Sequence, residues 1–287
     1  MTTQDTLAPI IASLQEEAIA LLQKWISVPS VKEDAAPDAP FGLHLKTMLD
    51  TALQDCARLG LSVRNFDGYA GDAQMGDTGD VLGILALLDV VPPGDGWEED
   101  PYSGNIRNGR LYGRGSSDDK GPAVAALYAM IAIKKAGIPL KKKVRLILGC
   151  DEESGMDDMV YYTKHADMPA IGFSPDGSYP VINTEKGRME IHLTAPLSNE
   201  GLSILSLQGG DRANVIPGSA TATVKGDPSL IEKVTAFSQQ SGYPVVANQT
   251  APGIITITAT GKVGHAAFPH SGRNANGQLV QTLAAIG

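Results

Sequence analysis

The sequence has little cysteine, few aromatic residues, no excess of basic charge and no long apolar run. Its two cysteines, Cys56 and Cys150, are too few for a disulfide framework or a zinc finger. They read as buried free thiols of a cytoplasmic protein, with a single bridge as the alternative. Aromatic residues make up only 5% of the chain, so the core must be mainly aliphatic. No stretch reaches the roughly 20 apolar residues of a membrane span; the longest, residues 81–91, contains Asp89. Residues 1–22 lack a basic start and are interrupted by Asp5, Glu16 and Glu17, which is not the pattern of a secretory signal. Lys and Arg number 23 against 32 Asp and Glu, a formal net charge of -9. Such a surface repels phosphates and argues against non-specific nucleic-acid binding.

What is present is globular: 43% hydrophobic residues, with 32 Gly and 18 Pro distributed over 287 residues, enough for about two domains. Apolar residues recur at helical spacing over 7–25 and 43–59. Residues 28–40 read as loop, 61–66 as a strand and 69–79 as turns. Residues 81–89 form an almost uninterrupted apolar run containing Gly83, the signature of a strand buried on both faces. A long loop with short strands follows over 92–117. Asp118-Asp119-Lys120-Gly121-Pro122 opens a helix over 123–136, with Pro in the first turn and carboxylates at the positive end of the dipole. Strands are expected at 144–150 and 170–173, with a helix at 156–165 between them. This alternation predicts an α/β fold with a mostly parallel sheet. Beyond 187 the texture changes. Strands are expected at 188–196, 202–208, 219–226 and 253–262, and helices at 228–241 and 273–286. The expected organisation is a catalytic domain over 1–187 and an α+β domain over 188–287.

Five acids, Asp118, Asp119, Glu152, Glu153 and Asp176, fall at strand ends or helix starts, where open α/β sheets bind ligands. Carboxylates gathered in one crevice repel each other and require cations or raised pKa values. Helix capping does not explain the adjacent pair Glu152-Glu153.

The surrounding residues form an ordered set of motifs. Leu85-Ala-Leu-Leu-Asp-Val-Val-Pro-Pro-Gly-Asp-Gly-Trp97 resembles G-H-x-D-V-V-P-x-G-x-G-W. Tyr112-Gly-Arg-Gly-Ser-Ser-Asp-Asp-Lys-Gly-Pro122 resembles R-G-x-x-D-D-K-G-P, and Gly149-Cys-Asp-Glu-Glu-Ser-Gly155 resembles G-x-D-E-E-S-G. Phe173-Ser-Pro-Asp176 and Glu185-Lys-Gly187 complete the series. In this order they resemble the di-zinc metallopeptidases that include aminoacylase, carboxypeptidase G and carnosinase-like dipeptidases. The form is most similar to the bacterial dipeptidase branch called peptidase V.

The resemblance implies a zinc-peptidase-like catalytic domain with an inserted α+β lid, acting on a dipeptide or a small N-acyl amino acid, with no nucleic-acid or membrane partner. It implies two zinc ions, or Mn or Mg in their place. Asp118 would bridge them, Asp176 would complete one site and Glu153 the other. Glu152 would be the general base for a metal-activated water. Asp89 would orient a ligating histidine. Asn214 would contact substrate and His265 would stabilise the oxyanion.

Two departures stand out. Where the family places a ligating histidine, two residues before Asp89, this sequence has Leu87, which has no lone pair for a metal. Asp89 is thereby expected to lack its imidazole partner. The chain also stops inside the apolar helical pattern of residues 279–286, and is expected to be C-terminally truncated, without the last zinc histidine. The expectation is a metal-dependent dipeptidase, impaired. The alternatives are an N-acyl amino acid deacylase or desuccinylase, or a non-catalytic peptide-binding remnant.

Overall fold

A computed structural model describes residues 3–94, 96–178, 180–184, 186–187, 189, 191–194, 202–210 and 213–287. The chain divides into two compact units, Met1–Ile182 and Asn183–Gly287.

Unit 1 begins with two helices, α1 (Thr3–Ile26) and α2 (Leu43–Arg58). Strands β1 (Ser62–Phe66), β2 (Ala70–Met75) and β3 (Val81–Leu87) follow, then a short hairpin of β4 (Asn105–Arg107) and β5 (Arg110–Tyr112). Helix α3 (Lys120–Lys135), β6 (Lys143–Gly149), α4 (Asp157–His165) and β7 (Ile171–Phe173) complete it. The central sheet has the order β1-β2-β6-β3-β7. Its β6–β3 and β3–β7 pairings are parallel, and its β1–β2 and β2–β6 pairings are antiparallel. The α/β class therefore holds, with a mixed sheet whose parallel half carries the expected alternation.

The antiparallel half depends on β2, which lies where the sequence suggests only turns. Ala-Gly-Asp-Ala-Gln-Met has little intrinsic strand preference. Pairing on both edges and burial of five of its six residues hold it in place, so tertiary context overrides propensity. Its small residues let α2 approach: a Cβ on Gly71 would stand 2.8 Å from Leu53 Cδ2. Asp72, fully buried on β2, accepts hydrogen bonds from Arg64 Nε at 3.0 Å and the Tyr162 hydroxyl at 2.7 Å. Arg145 Nε stands 3.7 Å away.

Alternation along β3 sends Ile84 and Ala86, and beyond the strand Leu88, into the main core with Leu21, Trp25, Leu49 and Leu127. Leu85 packs on the opposite side, against the small cluster of Ala70, Ile147 and Tyr162. Cys56 and Cys150 are buried free thiols, as expected.

Unit 2 contains a four-stranded antiparallel sheet, ordered β11-β12-β10-β8, of β8 (Ser203–Gly209), β10 (Ser219–Lys225), β11 (Val245–Ala251) and β12 (Ile254–Thr260). Alternating Ala220, Ala222 and Val224, with Ile255, Ile257 and Ala259, form a core with α5 (Ser229–Ser241) and α6 (Ala275–Ile286). A short ladder joins β9 (Val215–Ile216) to β13 (Gly264–His265). Of the strand expected over 188–196, residues 188, 190, 195 and 196 lie outside the described residues, and 191–194 are not in a strand. Glu185 and Arg212 also lie outside them.

Asp72→Ala would leave the buried Tyr162 hydroxyl without its acceptor and remove the carboxylate that Arg64 and Arg145 face. It is expected to cost about 3 kcal/mol in a urea unfolding experiment; a loss within error of zero would contradict the role given to this carboxylate.

Candidate active site

Because β6, β3 and β7 are neighbouring parallel strands, their carboxyl ends lie along one edge of the sheet. Asp89 follows β3, Asp151, Glu152 and Glu153 follow β6, and Asp176 follows β7. The turn carrying Asp118 and Asp119 joins them directly. Asp119 Oδ2 accepts the backbone N–H of Leu87 at 3.1 Å. Asp119 is the N-cap residue of α3 but makes no side-chain cap hydrogen bond. Its carboxylate is turned to the end of β3 instead.

Asp89 is 1% exposed. Its two oxygens accept the backbone N–H groups of Glu152, at 3.2 Å, and Glu153, at 3.0 Å. In place of the imidazole that the family's pattern supplies, two amides of the glutamate loop hold it. Behind them, Asp158 Oδ2 accepts from Cys150 N at 2.7 Å and Asp151 N at 3.0 Å. Lys32 Nζ pairs with the buried Asp151 at 2.6 Å.

The carboxylates sense one another. Burial, then the charges of Asp176, Asp118 and Glu152, push Asp119 up to about 7 against the opposing Leu87 amide bond. Burial, then Asp118, Asp89, Glu152 and Asp176, push Glu153 up to about 7. Burial raises Asp89 to about 7 despite its amide bonds. Glu152 is also raised, by burial and by Asp176, Asp118 and Asp158. Asp118, Glu152 and Asp176 are exposed and Glu153 is half-buried, so solvent reaches the group. The structure therefore brings Asp89, Asp118, Asp119, Glu152, Glu153 and Asp176 together at one end of the sheet.

Lys120, fully buried, donates from Nζ to the carbonyls of Trp25 and Val28, both at 2.9 Å. This ties the Asp118-Asp119 turn to the end of α1. Burial lowers its pKa to about 7, with Asp89 opposing. Sequence reading missed this lysine, although the K of D-D-K-G-P marked it.

Leu87 is 3% exposed at the last position of β3. Among the described residues, no three His, Cys, Asp or Glu side chains stand so as to hold a metal ion together. The donors offered are all carboxylates, a set suited to hard cations rather than zinc. By themselves these residues do not fit the zinc pair that the motifs imply.

In unit 2, Asn214 and His265 lie beside each other. Val215 pairs with His265 across the β9–β13 ladder, and Asn214 O accepts from Ala266 N at 2.8 Å. His265 Nδ1 accepts from Ala267 N at 3.1 Å, which leaves the neutral ring's proton on Nε2 as an outward donor.

The sequence pattern that defines peptidase family M20/M25/M40 matches residues 85–271. The chain belongs to this family. It is 37% identical over 281 residues to the Bacillus subtilis protein named "Putative dipeptidase YtjP", covering 94% of this chain and 60% of that protein. It is 31% identical over 285 residues to a Staphylococcus aureus (strain USA300) protein named "Putative dipeptidase SAUSA300_1697", covering 96% and 61%. The chain thus spans about 60% of the length of the curated relatives it matches. Human carnosine dipeptidase 1 is a partial structural likeness, with a TM-score of 0.48 and 28% identity over 54% of this chain and 36% of that one. Among the described residues of this M20/M25/M40 chain, no helix is long and apolar enough to cross a membrane.

The raised carboxyls keep their protons in the folded state. The stability they contribute is complete below their ordinary values of 3.8 and 4.5 and is lost as pH rises through about 7. Lys120 acts in the opposite sense. Its contribution is complete above the ordinary 10.5 and is lost as pH falls through about 7. The thermal midpoint of the chelator-treated chain is therefore expected to pass through a minimum near neutrality. A midpoint that climbs steadily from acid to neutral pH would contradict these assignments.

Proposed function

We propose that this chain is a dipeptidase-type member of the M20/M25/M40 family in which peptide hydrolysis is impaired at position 87. The observation that carries this reading is the buried Leu87 at the end of β3, where the family's motif calls for a ligating histidine. The dipeptidase class is supported by the ordered motifs and by the names of the curated relatives.

In this reading Glu152 is the general base. It is exposed and its pKa is raised by burial and by the neighbouring acids, which makes it the better base for a water attacking a peptide carbonyl. Asp118, Glu153 and Asp176 are the metal-ligating carboxylates that remain, and Asp89 positions the loop bearing both glutamates through its two amide bonds. Asn214 and His265 are the residues of unit 2 that contact substrate, His265 through its outward Nε2–H. These roles suit a dipeptide, with zinc, manganese or magnesium as the family's metal. A second reading, favoured by the same leucine, is a protein that binds peptides without cleaving them.

The decisive measurement is metal content and turnover on one preparation of the purified chain, loaded with zinc and desalted. Near-zero retained zinc and no measurable hydrolysis of β-alanyl-histidine are expected. Two tightly held zinc ions with turnover of even a few per second would overturn the impaired reading. Calorimetry with the same dipeptide separates the second reading, because a binder gives heat of association without product. Leu87→His is expected to tighten zinc binding by roughly tenfold or more in chelator competition. An unchanged affinity in the folded variant would mean that position 87 does not face the carboxylates.

A further inference from the structure

A cleft of about 620 Å³ opens between two segments that flank the acid cluster. One segment, residues 93–100, continues from Asp89. The other, residues 107–114, leads into Asp118. None of the cluster's carboxylates lines this cleft, so it is a separate site.

Its most unusual occupant is Arg114. The Arg114 Nη2 and the Trp97 Nε1 both donate to the carbonyl of Pro93, at 3.1 and 2.9 Å. The guanidinium lies over the Trp97 ring, 5.6 Å from its centroid, and the Arg114 backbone N–H is fixed on Pro101 O at 2.7 Å. The side chain is thus held in place before any ligand arrives. Its Nε is nevertheless buried without a hydrogen-bond partner, and among the described residues Arg114 makes no ion pair. A fixed guanidinium whose Nη1 makes no hydrogen bond among the described residues is preorganised for a carboxylate.

A simple anion does not suit the rest of the cleft. Glu98, Glu99 and Asp100 also line it. Arg107 stands 3.3 Å from both Glu98 and Glu99, and the Asp100 carboxylate accepts a local backbone N–H, from Tyr102 at 2.9 Å. Two guanidinium groups therefore face three carboxylates, a field that repels a free anion and attracts an ammonium group. Trp97 and Tyr112, 38% and 39% exposed, add aromatic surface to the same cleft. A ligand that answers all three features carries a carboxylate, an ammonium group and an apolar side chain.

We propose that this cleft binds a free amino acid in its zwitterionic form, with the carboxylate on Arg114 and the ammonium group among Glu98, Glu99 and Asp100. Binding does not require that the chain cleave peptides. If it does cleave them, the ligand is of the same class as its product.

Trp97 provides the readout, because the chain's other tryptophan, Trp25, is fully buried in the core. The emission of the full chain is titrated with L-leucine, with 4-methylpentanoate, which lacks the ammonium group, and with isoamylamine, which lacks the carboxylate. L-Leucine is expected to give a saturable change, and each half-molecule to bind at least about tenfold more weakly. Arg114→Met is expected to weaken L-leucine by a similar factor, and Trp97→Phe to abolish the signal. The proposal is overturned if L-leucine gives no saturable response, if 4-methylpentanoate binds as well, or if the response persists in Trp97→Phe. The half-molecule comparison uses the unaltered chain, so it decides the matter even if Arg114→Met fails to fold.

Discussion

Buried aspartates that accept backbone amides hold the functional end of the sheet together. The chain must turn sharply after β3 and after β6, and each turn removes N–H groups from the sheet ladder. A buried amide without a partner is costly. Asp89 supplies acceptors for the loop after β6, Asp119 for the last residue of β3, and Asp158 for Cys150 and Asp151. Each aspartate comes from a different segment, so each bond also fixes one segment against another. The register of the parallel strands then places the exposed acids, Asp118, Glu152 and Asp176, at a common edge.

The same bonds limit what the raised pKa values mean. Asp89 and Asp119 sit near 7 chiefly because they are buried, and their burial serves the turns. Perturbed carboxyls mark functional sites only in a probabilistic sense. Glu152 is different. It is exposed, its backbone N–H is occupied by Asp89, and its carboxylate is left to face its acidic neighbours. Glu152, rather than the more strongly shifted groups beneath it, is therefore the acid of this edge best placed for chemistry.

Much of this was legible in the sequence, for identifiable reasons. β3 and β6 announce themselves by apolar runs because both faces of a central parallel strand are covered. The acids at the strand ends follow from the motif order. β2 was hidden because Ala, Gly, Asp and Gln gain their strand conformation from neighbours on both edges rather than from their own preference. The bond between Asp119 and Leu87 left no mark in the sequence, because it joins segments 32 residues apart. Lys120 was missed because burying a lysine depends on two carbonyls at the end of α1, nearly a hundred residues away in sequence. Arg114 stood in a quoted motif, but its partnerless Nε is a property of packing and has no trace in composition.

Position 87 separates fold from function. The backbone of Leu87 does everything the fold asks of that position: it pairs with Gly149 across the parallel ladder and donates to Asp119. Its side chain is buried. An imidazole at this position would serve a bound ion rather than these backbone contacts, so the proposed loss of a ligand leaves the architecture standing. Family membership thus specifies the fold, while the proposed impairment concerns a side chain on whose identity these backbone contacts do not depend. The Arg114 cleft lies on the other side of that division. Its residues are fixed by contacts among themselves, with no dependence on an ion or on position 87. The proposed recognition of an amino acid there is therefore independent of any hydrolysis at the acid cluster.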